Sequence, residues 1–164
     1  MIVIVLGLPG SGKSYFASRL AEVIQADYIN SDQVRKEMFS KRMYSEQEKG
    51  AVYNAMLEKM KSVVQLNKDL VIDATFHRED SRQLFIRQLR GKAKFFFIEI
   101  TANPDLIRRR LKKERPFSEA DFDVYELTRH QWQPLSEPHL SLESTDENID
   151  YMLDRAVNYL RPKK

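Results

Sequence analysis

IVIVLGLPGSGKS, residues 2–14, is the stretch on which the reading of this chain turns. Ile2 to Leu6 is an unbroken apolar run rich in β-branched residues, the pattern of a central strand buried on both faces. It runs directly into Gly7, Gly10 and Gly12, where the missing side chains let the backbone close tightly around oxygen atoms. Lys13 to Ile24 then reads as a helix, with Phe16, Leu20 and Ile24 recurring every four residues. Strand, glycine loop and helix together make G-x-x-x-x-G-K-S a phosphate-binding loop, because successive N–H groups and the helix N-terminus face an anion. Gly7, Pro9, Gly10, Ser11, Gly12, Lys13, Ser14 and the following Tyr15 are assigned to a nucleotide. Lys13 is expected to span the β- and γ-phosphates and the Ser14 hydroxyl to ligate Mg²⁺, with ATP or GTP as the phosphate donor.

The rest of the chain bounds the class. With 164 residues, 42% apolar and 31% charged, the chain suits one globular domain over residues 1–164. No apolar run reaches the eighteen or so residues of a membrane span. Residues 1–6 lack the basic leader and cleavage site of a signal peptide, so the cytoplasm is the expected compartment and no membrane partner is expected. There is no cysteine, and His77, His130 and His139 are far apart, which leaves nucleotide-borne Mg²⁺ as the expected metal. The net charge of +3 is a weak basic bias. Its distribution says more: Arg108, Arg109, Arg110, Lys112, Lys113 and Arg115 crowd together, while Glu143, Asp146, Glu147, Asp150 and Asp154 make the C-terminal region acidic. An anionic ligand is expected near the first cluster, although a solvated helix face accounts for part of it.

Strand-like and helix-like segments alternate along the chain, which implies a parallel sheet covered by helices. Asp27–Asn30, Leu70–Asp73, Lys94–Ile100 and Leu140–Leu142 read as the later strands. Ser31 is placed to cap a short helix through Met38. Ser45 with Glu48 makes a capping box for a longer helix reaching about Asn67, with Val52, Met56, Met60 and Val63 on its core face. Asn103 followed by Pro104 opens the helix carrying the basic cluster. Ser118 is expected to start another helix, and the last is expected to run from about Asp146 to Leu160.

Asp73 ends an apolar strand, the position of a carboxylate that orients Mg²⁺ through water; a purely structural strand-end acid is the plainer alternative. Ala74 follows it where motor ATPases place a water-activating Glu, which argues against efficient hydrolysis. Asn67-Lys68-Asp69 has its acid one residue too early for a guanine-specific loop. A substrate hydroxyl is therefore the expected acceptor. Asp32 and Arg35 share a face of the helix after the second strand, where a carboxylate can take a proton and a guanidinium can hold an anion. A local salt bridge is the alternative.

Gly7–Ser14, Ser31-Asp32-x-x-Arg35-Lys36, Val71–Phe76, Arg110-Leu111 and Ser118-x-Ala120, in this order, resemble the P-loop kinase branch related to polynucleotide 5′-kinases, with zeta-toxin and gluconate-type kinases more distant. The resemblance spans nearly the whole chain. It implies a three-layer α/β P-loop NTPase fold with a central parallel sheet in the order 2-3-1-4-5 and a helical lid over residues 104–118. It also implies Asp32 as general base toward a 5′-hydroxyl end of DNA or RNA, and Arg35 on an acceptor phosphate. Thr75 and Phe76 would join Asp32 and Arg35 at the acceptor. Arg110 and Arg115 would stabilise the transferring phosphoryl group, and Arg109 would lie at the nucleotide. Such lids often carry Arg-x-x-x-Arg. Here Glu114 stands four residues after Arg110 and Arg115 comes next, so Arg109 with Lys113 is an alternative pair. Tyr28, Phe39, Tyr44 or Phe76 could stack on a terminal base, and each also fits the core. A sugar, antibiotic or nucleoside-like small molecule is the other acceptor class, and a nucleotide-gated interaction module the third reading.

Overall fold

The computed structural model describes residues 1–113 and 119–161. Strand β1 (Ile2–Leu6) is buried at all five positions and lies at the centre of a five-stranded sheet. The order is β2-β3-β1-β4-β5, with β2 Asp27–Asn30, β3 Leu70–Asp73, β4 Phe95–Ala102 and β5 His139–Ser144, and every pairing is parallel. Parallel neighbours require crossovers, and helices supply them on both faces. The even positions of β1, Ile2, Ile4 and Leu6, face α3 (Glu46–Gln65) and α4 (Glu79–Gln88). Its odd positions, Val3 and Val5, face α1 (Lys13–Ile24) and α7 (Ile149–Leu160). Val5 and Asn30 both pair with Asp73, so the C-terminal tips of β1, β2 and β3 lie side by side. That edge of an open parallel sheet is where ligands bind.

Val52, Met56, Met60 and Val63 are buried as their spacing requires. Several boundaries moved for local reasons. Helix α2 (Ser31–Met38) is capped by Asn30, whose side chain accepts from Gln33 N, leaving Ser31 inside the helix. Ser45 caps α3 by accepting from Glu48 N at 3.1 Å, but the return bond of Glu48 goes to Met43 N. Helix α4 has no counterpart in the apolar pattern, because its inward stripe is carried by Arg82 as well as Phe85. The Arg82 guanidinium is wholly buried and donates to the Phe76 and Pro134 carbonyls at 2.8 and 3.0 Å, so a polar residue occupies a core position. Helix α5 (Pro104–Leu111) begins at Pro104 with Asn103 as its cap. Ser118, expected to open the next helix, lies outside the described residues; α6 (Phe122–His130) starts later, under an Asp121 cap. The last helix begins at Ile149 instead of Asp146, because Asn148 closes a turn by accepting from Thr145 N and donating to Glu143 O. Among the described residues no helix is long and apolar enough to cross a membrane.

The loop after β1 is held against β4. A Cβ built on Gly7 collides with the Ile100 carbonyl oxygen and comes within 2.8 Å of Ser11 Oγ. Both are buried, and the carbonyl belongs to the sheet backbone, so neither side can retreat cheaply. Gly7→Ala is expected to lower the unfolding free energy by about 1–3 kcal/mol and to weaken nucleotide binding with it. Denaturant titration with and without Mg·AMPPNP checks this.

Candidate active site

Gly12 stands at φ 92° before α1, which has no side-chain cap. The first-turn N–H groups of α1 are thus left for a ligand, and the helix dipole adds to their pull on an anion. They open on a cavity of about 670 Å³ lined by Gly12, Lys13, Ser14, Tyr28, Asn30 and Asp32. Arg110 and Lys113 line it too, as does the turn joining β5 to α7 with Asp146, Asn148 and Ile149. Nothing local in the sequence marked that turn; it joins the site because β5 lies next but one to β1.

Asp73 is fully buried at the tip of β3. Its Oδ2 accepts from the Tyr28 hydroxyl at 2.8 Å and from Asn30 Nδ2 at 2.5 Å, and the same Asn30 amide lies 3.2 Å from Ser14 Oγ. Asp73, Asn30 and Ser14 therefore form one polar chain from β3 through β2 to α1. Asn30 has two tasks, since its Oδ1 caps α2. Sequence reading missed it; an Asn at the junction of strand and helix was the available signal. Asp73 Oδ1 is buried without a hydrogen-bond partner among the described residues. A carboxylate oxygen left so is costly unless a cation or its water completes it, and the donor set of hydroxyl and carboxylate suits Mg²⁺. Burial, then the Asp73 charge, push the Tyr28 phenol far above its usual range, so Tyr28 stays a proton donor. Among the described residues no group of three His, Cys, Asp or Glu side chains is placed to hold a metal alone.

Asp32 lies on the first turn of α2 and faces the cavity. Arg35 Nη1 is 3.5 Å from its Oδ1, as the three-residue spacing predicts. Yet Arg35 is also held by Glu48 at 2.9 Å, lies over the Tyr44 ring at 4.9 Å and does not line the cavity. Thr75 is half-buried beyond β3. Phe76 is a correction: its ring is completely buried, stacked on Tyr53 at 5.3 Å and edge-on to Phe85 at 5.1 Å, so it cannot stack on an acceptor.

The basic helix also differs from expectation. Arg110 turns toward the loop backbone: Nη1 is 2.8 Å from Ser144 Oγ, 3.2 Å from Ser11 O and 3.4 Å from Gly10 O, while Nη2 meets Asp146 at 3.3 Å. Ser144 itself donates to Ser11 O at 2.5 Å. In this arrangement Arg110 braces the phosphate-binding loop while also lining the cavity. Arg109 is largely exposed beside Asp146 and does not line the cavity, whereas Lys113 does. Arg108 lies over the Phe122 ring. Tyr15 is exposed under Arg19 at the cavity rim. Arg115, Glu114 and the rest of the expected lid to residue 118 lie outside the described residues.

A parallel sheet in the order 2-3-1-4-5 with a phosphate-binding loop after its central strand, opening on a cavity that the first turn of α2 also lines, defines a P-loop nucleotide-binding fold. The AAA_33 family, described as an AAA domain, matches residues 2–138, and the chain belongs to that family. No functionally curated protein matches the chain significantly in sequence. Among solved structures, a sugar kinase from a Janibacter species is 17% identical with a TM-score of 0.76, covering 97% of this chain and 93% of its own. A gluconokinase from Sinorhizobium meliloti is 14% identical at 0.71, over 96% and 94% of the two chains. An APS kinase from Mycobacterium tuberculosis, in complex with AMPPNP and APS, is 18% identical at 0.68, over 97% and 96%.

Two measurements test this geometry. Arg110→Met removes the brace, and the Kd for Mg·AMPPNP is expected to rise about tenfold, or about 1.4 kcal/mol; loss of transfer with unchanged Kd would return Arg110 to the reacting phosphate. His77 is buried, and that burial, with the Lys49 and Arg78 charges, pushes its pKa from 6.5 down to about 4. Between those values the unfolded chain binds a proton that the native one refuses. The stability due to neutral His77 is thus fully present above pH 6.5 and is lost as pH falls through about 4. Thermal melts should show a shallower acid slope in His77→Gln.

Proposed function

We propose that this protein transfers the γ-phosphoryl group of ATP or GTP to a hydroxyl of a small-molecule acceptor, with Asp32 as general base. The observation that carries this reading is that Asp32 lines the same cavity as Lys13 and Ser14, beside the open N-terminus of α1. Ala74, at the tip of β3, supplies no acid to activate water, so a bound hydroxyl is the natural nucleophile. Lys13 and the α1 N–H groups draw negative charge from the donor phosphates. Asp32, held by Arg35, takes the acceptor proton as the oxygen attacks in line. Mg²⁺ brought by the nucleotide would be held by Ser14 and, through water, by Asp73, and it supplies further charge neutralisation. Lys113 and Arg110 also line the cavity and add positive charge there.

A small acceptor is favoured over a 5′-hydroxyl nucleic-acid end because three of the arginines that would track a phosphodiester backbone are paired with acids of this chain. Arg42 pairs with Glu119, Arg35 with Asp32 and Glu48, and Arg109 with Asp146. The similar folds of a sugar kinase, a gluconokinase and an APS kinase, of nearly the same extent, support the same choice.

The test offers γ-labelled ATP and GTP with a panel of sugars, polyols, hydroxy acids and nucleosides, and in parallel a 5′-hydroxyl oligonucleotide. Label is expected on a small molecule. Label confined to the oligonucleotide would overturn the acceptor class in favour of polynucleotide 5′-kinase activity. With the acceptor found, Asp32→Asn should lower kcat about 10²–10⁴-fold while the Kd for Mg·AMPPNP stays within about threefold of the original; undiminished kcat would remove Asp32 from the base role.

A further inference from the structure

We infer that Asn30 is a positioning residue for the transfer reaction: its amide nitrogen selects the Asp73 oxygen that is left to the metal, and its amide oxygen holds the turn that carries Asp32. This inference rests on the kinase reading of the cavity and adds to it a residue that joins the metal end of the site to the base.

Asn30 is the last residue of β2 and at the same time the cap of α2, so no loop separates the sheet from the helix. It pairs in register with Asp73, the last residue of β3, and is only 6% exposed. Tyr28, two positions earlier, projects from the same face of the strand, which is why both side chains reach Asp73. Only one orientation of the Asn30 amide fits this place. The Gln33 N–H, 2.9 Å away, requires an acceptor, and the Asp73 carboxylate at 2.5 Å requires a donor. A flipped amide would set nitrogen against N–H and oxygen against carboxylate, and both partners would lose their bonds.

Held this way, Nδ2 gives a hydrogen to Asp73 Oδ2 and has Ser14 Oγ at 3.2 Å and the Tyr28 oxygen at 3.3 Å for the other. Tyr28 donates to the same Asp73 Oδ2 at 2.8 Å. Both donors thus load one oxygen, and Asp73 Oδ1 is the atom left buried without a hydrogen-bond partner among the described residues. Ser14 Oγ, with one lone pair turned to Asn30, keeps the other for a cation. At the far end of the amide, the Asn30 oxygen accepts from Gln33 N and closes the first turn of α2, where Asp32 lies. Ser14, Asn30 and Asp32 all line the same cavity. Few side chains could replace this one. Serine would keep the cap and lose the donor, aspartate would set a second carboxylate against Asp73, and alanine would lose both bonds. These differences separate the two ends.

The metal end is read without any acceptor, by measuring AMPPNP affinity in Mg²⁺ and in EDTA. In Asn30→Ser the tightening brought by Mg²⁺ is expected to shrink about tenfold, while the Kd in EDTA stays within about threefold of the original. A residue that only stabilised the fold would lower the melting temperature and leave the Mg²⁺ effect as it was, and that result would overturn the proposal. The link between the two ends is read in the unsubstituted protein, whatever the folding of the variants. With AMPPNP bound, added Mg²⁺ should move the resonances of the Asn30 side-chain amide and the Gln33 N–H together; a Gln33 resonance that does not respond would overturn the link. Once the acceptor is known, kcat at saturating Mg²⁺ should be about tenfold lower in Asn30→Ala than in Asn30→Ser, because alanine also releases the turn bearing Asp32. Equal values would remove Asn30 from the base end. Absence of transfer to every hydroxyl would sink the kinase reading and leave the Mg²⁺ and Gln33 measurements to decide the role of Asn30.

Discussion

The Asp73 carboxylate has no access to solvent, and the bonds that satisfy it decide how three elements meet. One oxygen takes donors from Tyr28 and Asn30 of β2, and Asn30 reaches on to Ser14 at the head of α1. Loss of these donors would strand a buried charge, so the tips of β2 and β3 and the start of α1 are pinned in one register. Its second oxygen has no donor among the described residues, and this is what a cation-bound water at that point would meet.

Around this pin the phosphate-binding loop is shaped by contact as much as by its own glycines. Gly7 is pressed against β4, and Gly12 leaves no room for a side chain between Ser144 and Arg110. Ile107 and Leu111 of α5 lie against Gly10. Arg110 and Ser144 then bind the loop carbonyls, which turns the N–H side of the loop toward the cavity. Arg110 is thereby bonded to the phosphate-binding loop and lines the cavity as well.

Asp32 and Glu48 both meet Arg35, which ties the first turn of α2 to the start of α3. Tyr44, whose ring lies under Arg35 at a left-handed backbone position, also donates to Glu119. With Arg42 bound to the same carboxylate, the α2–α3 connection is tied to the segment leading into α6.

Much of this was legible in the chain. Residues 2–14 determined strand, loop and helix by themselves, because glycine spacing and apolar runs act locally, and the Asp32–Arg35 pair followed from helical spacing alone. The alternation of elements was enough for a parallel sheet. Other features depend on contacts distant in sequence. Asn30 matters because β2 lies beside β3, and the β5–α7 turn because β5 closes the far side of the sheet. The same packing withdrew Phe76 into the core and turned Arg110 onto the loop. Local chemistry thus determined that this protein grips phosphate; only the tertiary structure decided which side chains face the grip, since burial and pairing are properties of neighbours in space.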